Sequence, residues 1–93
     1  MKINDPIIKQ TMNNRLRRVE GQLRGIQTMV NDERDCSEIL QQLSAARSAL
    51  HGATMDFLHQ YAACVATLEE KDPGERQALL DDFIAVLDRA THT

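Results

Sequence analysis

The stretch from Cys36 to Leu68 reads as one uninterrupted helix, and its length limits every fold open to the chain. Asp35 stands before it with Glu38 three residues on, a capping-box arrangement that starts a helix there. Cys36, Ile39, Leu40, Leu43, Leu50, Phe57, Leu58, Tyr61, Val65 and Leu68 share one side. Ser44, Ala45, Ser48, Ala49, Gly52 and Ala63 line the other, where small side chains let a second helix come close. Such a helix runs about 50 Å at about 1.5 Å per residue. A compact domain of 93 residues has a radius of gyration of only about 12 Å. What remains of the chain is too short to cover so long an apolar face, so the expectation is an obligate helical oligomer.

Two shorter helices flank it. Asp5 before Pro6 is an N-cap with proline at the first helical position. Met12, Leu16, Val19, Leu23, Ile26 and Val30 then alternate spacings of three and four, and the pattern breaks at Asn31–Arg34. Lys71-Asp72-Pro73-Gly74-Glu75 ends the long helix and caps a third one, in which Leu79, Leu80, Phe83, Ile84 and Leu87 form an apolar stripe. The predicted helices are about 6–31, 36–69 and 73–90, in a single all-α domain of residues 1–93. Three aromatic residues (Phe57, Tyr61, Phe83) and six Gly or Pro argue against β-sandwiches and barrels.

The net charge of −3 hides an uneven distribution. Residues 1–50 carry eight Lys/Arg against six Asp/Glu, and residues 51–93 carry three against eight. Between Ile8 and Arg24 stand Lys9, Arg15, Arg17, Arg18 and Arg24, opposed by Glu20 alone. That density favours contacts with nucleic-acid phosphates over an ordinary solvated face. Arg47 falls within the apolar side of the long helix; burying it unpaired would be costly, so it must reach solvent, a carboxylate or DNA. The chain has no apolar run long enough for a membrane span and no signal-peptide core at its start, which points to the cytoplasm and to no membrane partner.

Two cysteines are too few for a disulfide framework. Cys36 opens the long helix, where unpaired backbone N–H groups and the helix dipole favour a thiolate. Cys64 lies 28 residues on, about 42 Å away along the same helix, so the two thiols of one chain cannot meet. Only an antiparallel neighbour could bring a second Cys64 to Cys36. On a straight helix the two lie about 80° apart, but in a left-handed supercoil 28 residues make four heptads and return to one stripe. No histidine is spaced to activate Cys36 within the chain and no Gly-rich phosphate loop occurs, so an enzyme is not expected. A helical interaction module without DNA binding is the rival from another class.

Four blocks carry a resemblance: Asn14-Arg15-Leu16-Arg17-Arg18-Val19-Glu20-Gly21-Gln22, Asp35-Cys36, Ile39-Leu40-Gln41-Gln42-Leu43-Ser44-Ala45, and the helix onward to Cys64. From Asn14 to Leu87 the chain resembles the copper-sensing operon repressor family, whose relatives sense nickel and cobalt, formaldehyde or persulfides. The resemblance implies a three-helix protomer, an antiparallel dimer of the long helix and a disc-shaped tetramer, a dimer of dimers. It implies binding of double-stranded operator DNA without a helix-turn-helix, with Arg15, Arg17 and Arg18 in the matching block; Lys9, Arg24 and Arg47 join them as DNA contacts on their charge and placement. DNA is released when an effector reaches the cysteine site.

The chain departs from the family where the effector would bind. Metal-sensing members place a His 25 residues after the first cysteine and a Cys or His 29 after it; here those positions hold Tyr61 and Val65. A phenol is a poor ligand for soft metals but can donate a hydrogen bond to a thiolate or an adduct. Some members also carry Arg where this chain has Gly52. The expectation is therefore a repressor released by a thiol-reactive effector (formaldehyde, a persulfide or an oxidant) acting at Cys36, with Cys64 and Tyr61 taking part. The alternative is a copper or nickel/cobalt sensor whose ion is held by Cys36, Cys64 and His59. His51 and His59 read as solvated residues off the apolar side.

Overall fold

The computed structural model of the chain describes residues 2–67 and 73–91. They form three helices: α1 (Pro6–Asn31), α2 (Cys36–Ala66) and α3 (Pro73–Thr91). Among the described residues α1 and α3 each pack on α2 and not on each other. The protomer measures 58 × 28 × 14 Å with a radius of gyration of 17.7 Å, against about 12 Å for a compact chain of this length. It is one helix layer deep over much of its area, so it cannot bury a large core of its own.

Helix ends form where side chains supply the missing backbone partners. The Asp5 carboxylate accepts the Ile7 N–H at 2.8 Å, and Pro6 needs no such partner. At the other end of α1 the N–H of Asp32 donates to the carbonyl of Thr28 at 2.9 Å. The N–H of Arg34 then reaches back to the Met29 carbonyl at 3.0 Å. Glu33 turns the chain with φ at 56°, a left-handed conformation that side chains other than glycine seldom adopt. Asp35 caps α2 by accepting the Ser37 N–H at 3.2 Å and the Ser37 hydroxyl. The predicted capping box does not close. Glu38 turns to Arg34 at 2.8 Å, one helical turn away, because a charged guanidinium competes well for its carboxylate.

The long helix stops three residues short of the predicted 69. Thr67 closes it by donating its N–H to the Ala63 carbonyl at 3.2 Å and its hydroxyl to the Cys64 carbonyl at 2.9 Å. Leu68 and the predicted cap Asp72 lie outside the described residues. The third helix runs one residue past the predicted end.

The core is thin. Val19 and Ile26 of α1, and Ala46, Ala53, Leu58 and Val65 of α2, are the buried apolar residues. Each helix contributes residues seven apart, as near-parallel packing requires. The apolar side read from the sequence is therefore two stripes rather than one. Leu58 and Val65 turn inward, whereas Leu43, Leu50 and Phe57 remain 44%, 48% and 39% exposed. These three residues and the two cysteines stand at steps of seven: Cys36, Leu43, Leu50, Phe57, Cys64. Among the described residues Cys36, Leu43, Leu50 and Phe57 stay open to solvent along this seam, and Cys64 is half-buried.

Because Ser37 and then the Glu38 N–H hold the charged form, the Asp35 carboxyl titrates below its ordinary 3.8. Its support of α2 is present above that pH and fades as pH falls below it. Asp35→Ala should therefore lower the thermal midpoint of helix unfolding at pH 7. Circular dichroism melts should show the gap to wild type closing below pH 3.8.

Candidate sensor seam and nucleic-acid interface

The first candidate surface is the outer side of α1. Lys9, Arg15, Arg17, Arg18 and Arg24 are all exposed on α1, as the sequence predicts. The structure divides them. Arg17 donates to the Asn14 side-chain carbonyl at 3.4 Å, and Arg24 pairs with Glu20 at 3.4 Å, one turn away. The expected lack of acidic partners thus fails for Arg24. That pair is solvent-exposed on both sides and holds the guanidinium only weakly, leaving it available to a phosphate.

Arg15 and Arg18 turn the other way, into the groove between α1 and α2. Gln22, Ala49 and Gly52 share that groove. The terminal nitrogen of Arg15 lies 3.7 Å from where a Cβ on Gly52 would stand, so the space left by the missing side chain lies under the guanidinium. Beside them the side-chain oxygen of Gln22 is buried without a hydrogen-bond donor. The sequence reading passed over Gln22, although it closes the Arg-Val-Glu-Gly-Gln block; its role needs the opposing helix to be seen. Arg47 stands apart, on a different groove with Ser44, Ser48, His51, Thr54 and the α3 residue Ala90. It reaches solvent, which resolves the burial problem its place in the pattern raised.

The second candidate surface is the open seam. Cys36, the first residue of α2, is exposed and its thiol is free. Cys64 is half-buried and also free, near the other end of the helix. The protomer does not bring them together, in keeping with the distance along α2. His51 and His59 are exposed. Among the described residues no three His, Cys, Asp or Glu side chains of one chain converge to hold a metal ion.

Tyr61 departs from its predicted direction. It faces α3 instead of sharing the outlook of Cys36. Its ring lies 4.9 Å from that of Phe83, tilted at 52°, and its hydroxyl donates to the Asp82 carboxylate at 3.1 Å. Asp82 and Phe83 are thus part of the cysteine end of the molecule, a role the sequence could not reveal, because 21 residues separate Tyr61 from Asp82. Partial desolvation, and after it the hydrogen bond and charge of Asp82, push the Tyr61 phenol above its ordinary 10.0.

Known proteins share this architecture and sequence. The profile of a family described as metal-sensitive transcriptional repressor matches residues 8–89. The copper-sensing transcriptional repressor CsoR of Bacillus subtilis is 42% identical over 78 residues, covering 81% of this chain and 77% of that one. The copper-sensing transcriptional repressor RicR of Mycobacterium tuberculosis is 38% identical over 74 residues, 77% of each chain. A crystal structure of the copper-sensing repressor CsoR with Cu(I) from Geobacillus thermodenitrificans has a TM-score of 0.82 at 36% identity, over 96% of this chain and 92% of that one.

Tyr61 is the chain's single tyrosine and there is no tryptophan, so absorbance near the phenolate band reports this group alone. The titration midpoint should lie above 10.0 and move down in Asp82→Asn. A raised midpoint means that the Tyr61–Asp82 link contributes to folding below pH 10.0 and is lost as pH rises through the folded value.

Proposed function

The chain belongs to the metal-sensitive transcriptional repressor family, and on that footing we propose that it binds double-stranded operator DNA as an antiparallel homo-oligomer, a dimer of dimers, and releases it when a soft metal ion, copper(I) foremost, reaches Cys36. Its family is one of repressors rather than enzymes, in line with the missing base beside Cys36. The copper-sensing relatives favour a metal effector over the thiol-reactive one that the sequence reading preferred.

The observation that carries the proposal is the symmetry of the seam. Leu43 and Phe57 stand seven residues either side of Leu50, and Cys36 and Cys64 stand fourteen either side. Two copies paired antiparallel about Leu50 would set Leu43 against the partner's Phe57 and Cys36 against the partner's Cys64, at both ends at once. That pairing covers the exposed leucines, about 1.5–3 kcal/mol for each large side chain fully removed from water. Thiolate sulfur suits copper(I), and two thiols facing each other supply it. Nickel and cobalt prefer nitrogen and oxygen ligands in larger number, and His59, five residues before Cys64, lies about 140° round the helix from it.

Pooling α1 helices from several copies would make one positive surface from chains that are each net acidic. Arg15, Arg17, Arg18, Arg24 and Lys9 would contact phosphates. Arg47 would contribute from α2. Such contacts read groove shape more than bases. A coupling of about 1–3 kcal/mol between effector and DNA sites is enough for release, changing affinity roughly 5- to 150-fold.

A second reading keeps the same Cys36 and changes the effector. With a phenol, tied to Asp82, where metal-sensing members of the resembled family have an imidazole, an aldehyde, persulfide or oxidant could modify the thiol instead. Native mass spectrometry after separate exposure to copper(I), nickel, formaldehyde and polysulfide separates the two: a retained copper ion supports the first, a covalent mass increase the second.

DNA binding is tested by fluorescence anisotropy with duplexes tiled across the DNA flanking the gene, against a scrambled duplex. Log affinity should fall steeply with log salt, and Arg17→Ala should weaken all duplexes alike and reduce the slope by about one. Cys36→Ala should keep DNA affinity and lose the response to copper(I). Leu50→Glu should yield smaller species in sedimentation velocity and bind DNA at least tenfold more weakly.

A further inference from the structure

We propose that the effector site is a two-sulfur site, closed by no nitrogen ligand, and therefore selective for monovalent soft ions, copper(I) and silver(I), over nickel(II), cobalt(II) and zinc(II). This rests on the copper reading above and narrows it. The position that would supply a third ligand is withdrawn from the seam: the Tyr61 hydroxyl is spent on Asp82 at 3.1 Å and its ring lies against Phe83. Val65, next to Cys64, is apolar and 8% exposed. On the far side of Cys64 the Thr67 hydroxyl donates to the helix backbone.

The surroundings of Cys36 are equally closed. The Asp35 carboxylate is held by Ser37, and the Glu38 carboxylate is held by Arg34 at 2.8 Å. One oxygen of each carboxylate is engaged in this way, which holds both side chains towards their own turn. Oxygen also ranks below sulfur for copper(I). The histidines are no nearer. His59 stands five residues before Cys64 and about 140° round the helix from it, and His51 lies 13 residues from Cys64, about 20 Å along the helix.

Two thiolates are a sufficient set only for an ion content with few soft ligands. Nickel, cobalt and zinc bind four or more donors, including nitrogen or oxygen, so they would find half a site here. Binding one copper(I) would remove one proton from Cys36 and one from the partner's Cys64, releasing two protons per ion and leaving the pair with one negative charge. The seam would then carry one ion at each end of the dimer.

The test uses the full-length wild-type protein loaded with copper(I) without oxygen and examined by X-ray absorption at the copper edge. Two sulfur scatterers and no nitrogen or oxygen shell are expected, and silver(I) should displace the copper while nickel, cobalt and zinc fail to co-elute with the protein on gel filtration. Tyr61→His restores an imidazole at this position and should add a nitrogen scatterer and retention of nickel or cobalt. Copper(I) bound with a third, light-atom ligand in the wild type would overturn the two-sulfur assignment and leave the copper reading standing. Failure of the wild type to retain copper(I), with both thiols still free by thiol count, would overturn both.

Discussion

The seam on α2 sets the terms for the rest of the molecule. A helix of 31 residues is flanked by partners that bury only six apolar residues between them, and the uncovered remainder is a straight row of leucine, phenylalanine and cysteine. Water contact along that row opposes the isolated protomer and favours its pairing. The same row carries the reactive groups, so whatever buries the leucines also decides what the thiols meet. Stability and the surroundings of both thiols therefore draw on one surface, and a change that loosens the first alters the second.

The basic helix depends on this arrangement less directly. α1 packs on the small side chains of α2 through Val19 and Ile26, which leaves its arginines outward or in the groove above Gly52. None of its charges is buried, and the two with side-chain partners hold them loosely at 3.4 Å. A surface built in this way would bind phosphate by number and placement of charges, so the relative position of several copies would govern its affinity. This is how a chain with net charge −3 can belong to a family of DNA repressors.

Most of the fold was legible in the sequence because its signals are local. Asp5-Pro6 and Asp35 start helices where they stand, and a break in the three-four spacing ends the first. The oligomer expectation followed from one length, and the 17.7 Å radius of gyration bears out its premise. The site was legible only in part. Cys36 and Cys64 could be placed on one stripe by counting heptads, but Tyr61 could not be oriented, because Asp82 and Phe83 come from a helix whose approach no local pattern specifies. Glu38 was misread for a related reason: two acceptable partners, the cap and Arg34, were within reach, and only packing of the turn decided between them. The small face was drawn slightly off axis as well; Ala46 and Ala53, which α1 buries, lie between the two sides inferred from composition.

The turn from α1 to α2 has a mechanical consequence. Cys36 begins α2 directly after the segment in which Glu33 reverses the chain at φ 56°, so a group bound at that sulfur would sit beside the joint between α1 and α2. Arg15 sits about 24 Å from the pivot along α1. A tilt of roughly 5° there would carry its guanidinium about 2 Å sideways, comparable to the length of the hydrogen bond it would make to a phosphate. Lever length would thus turn a small adjustment at that joint into a larger displacement at the far end.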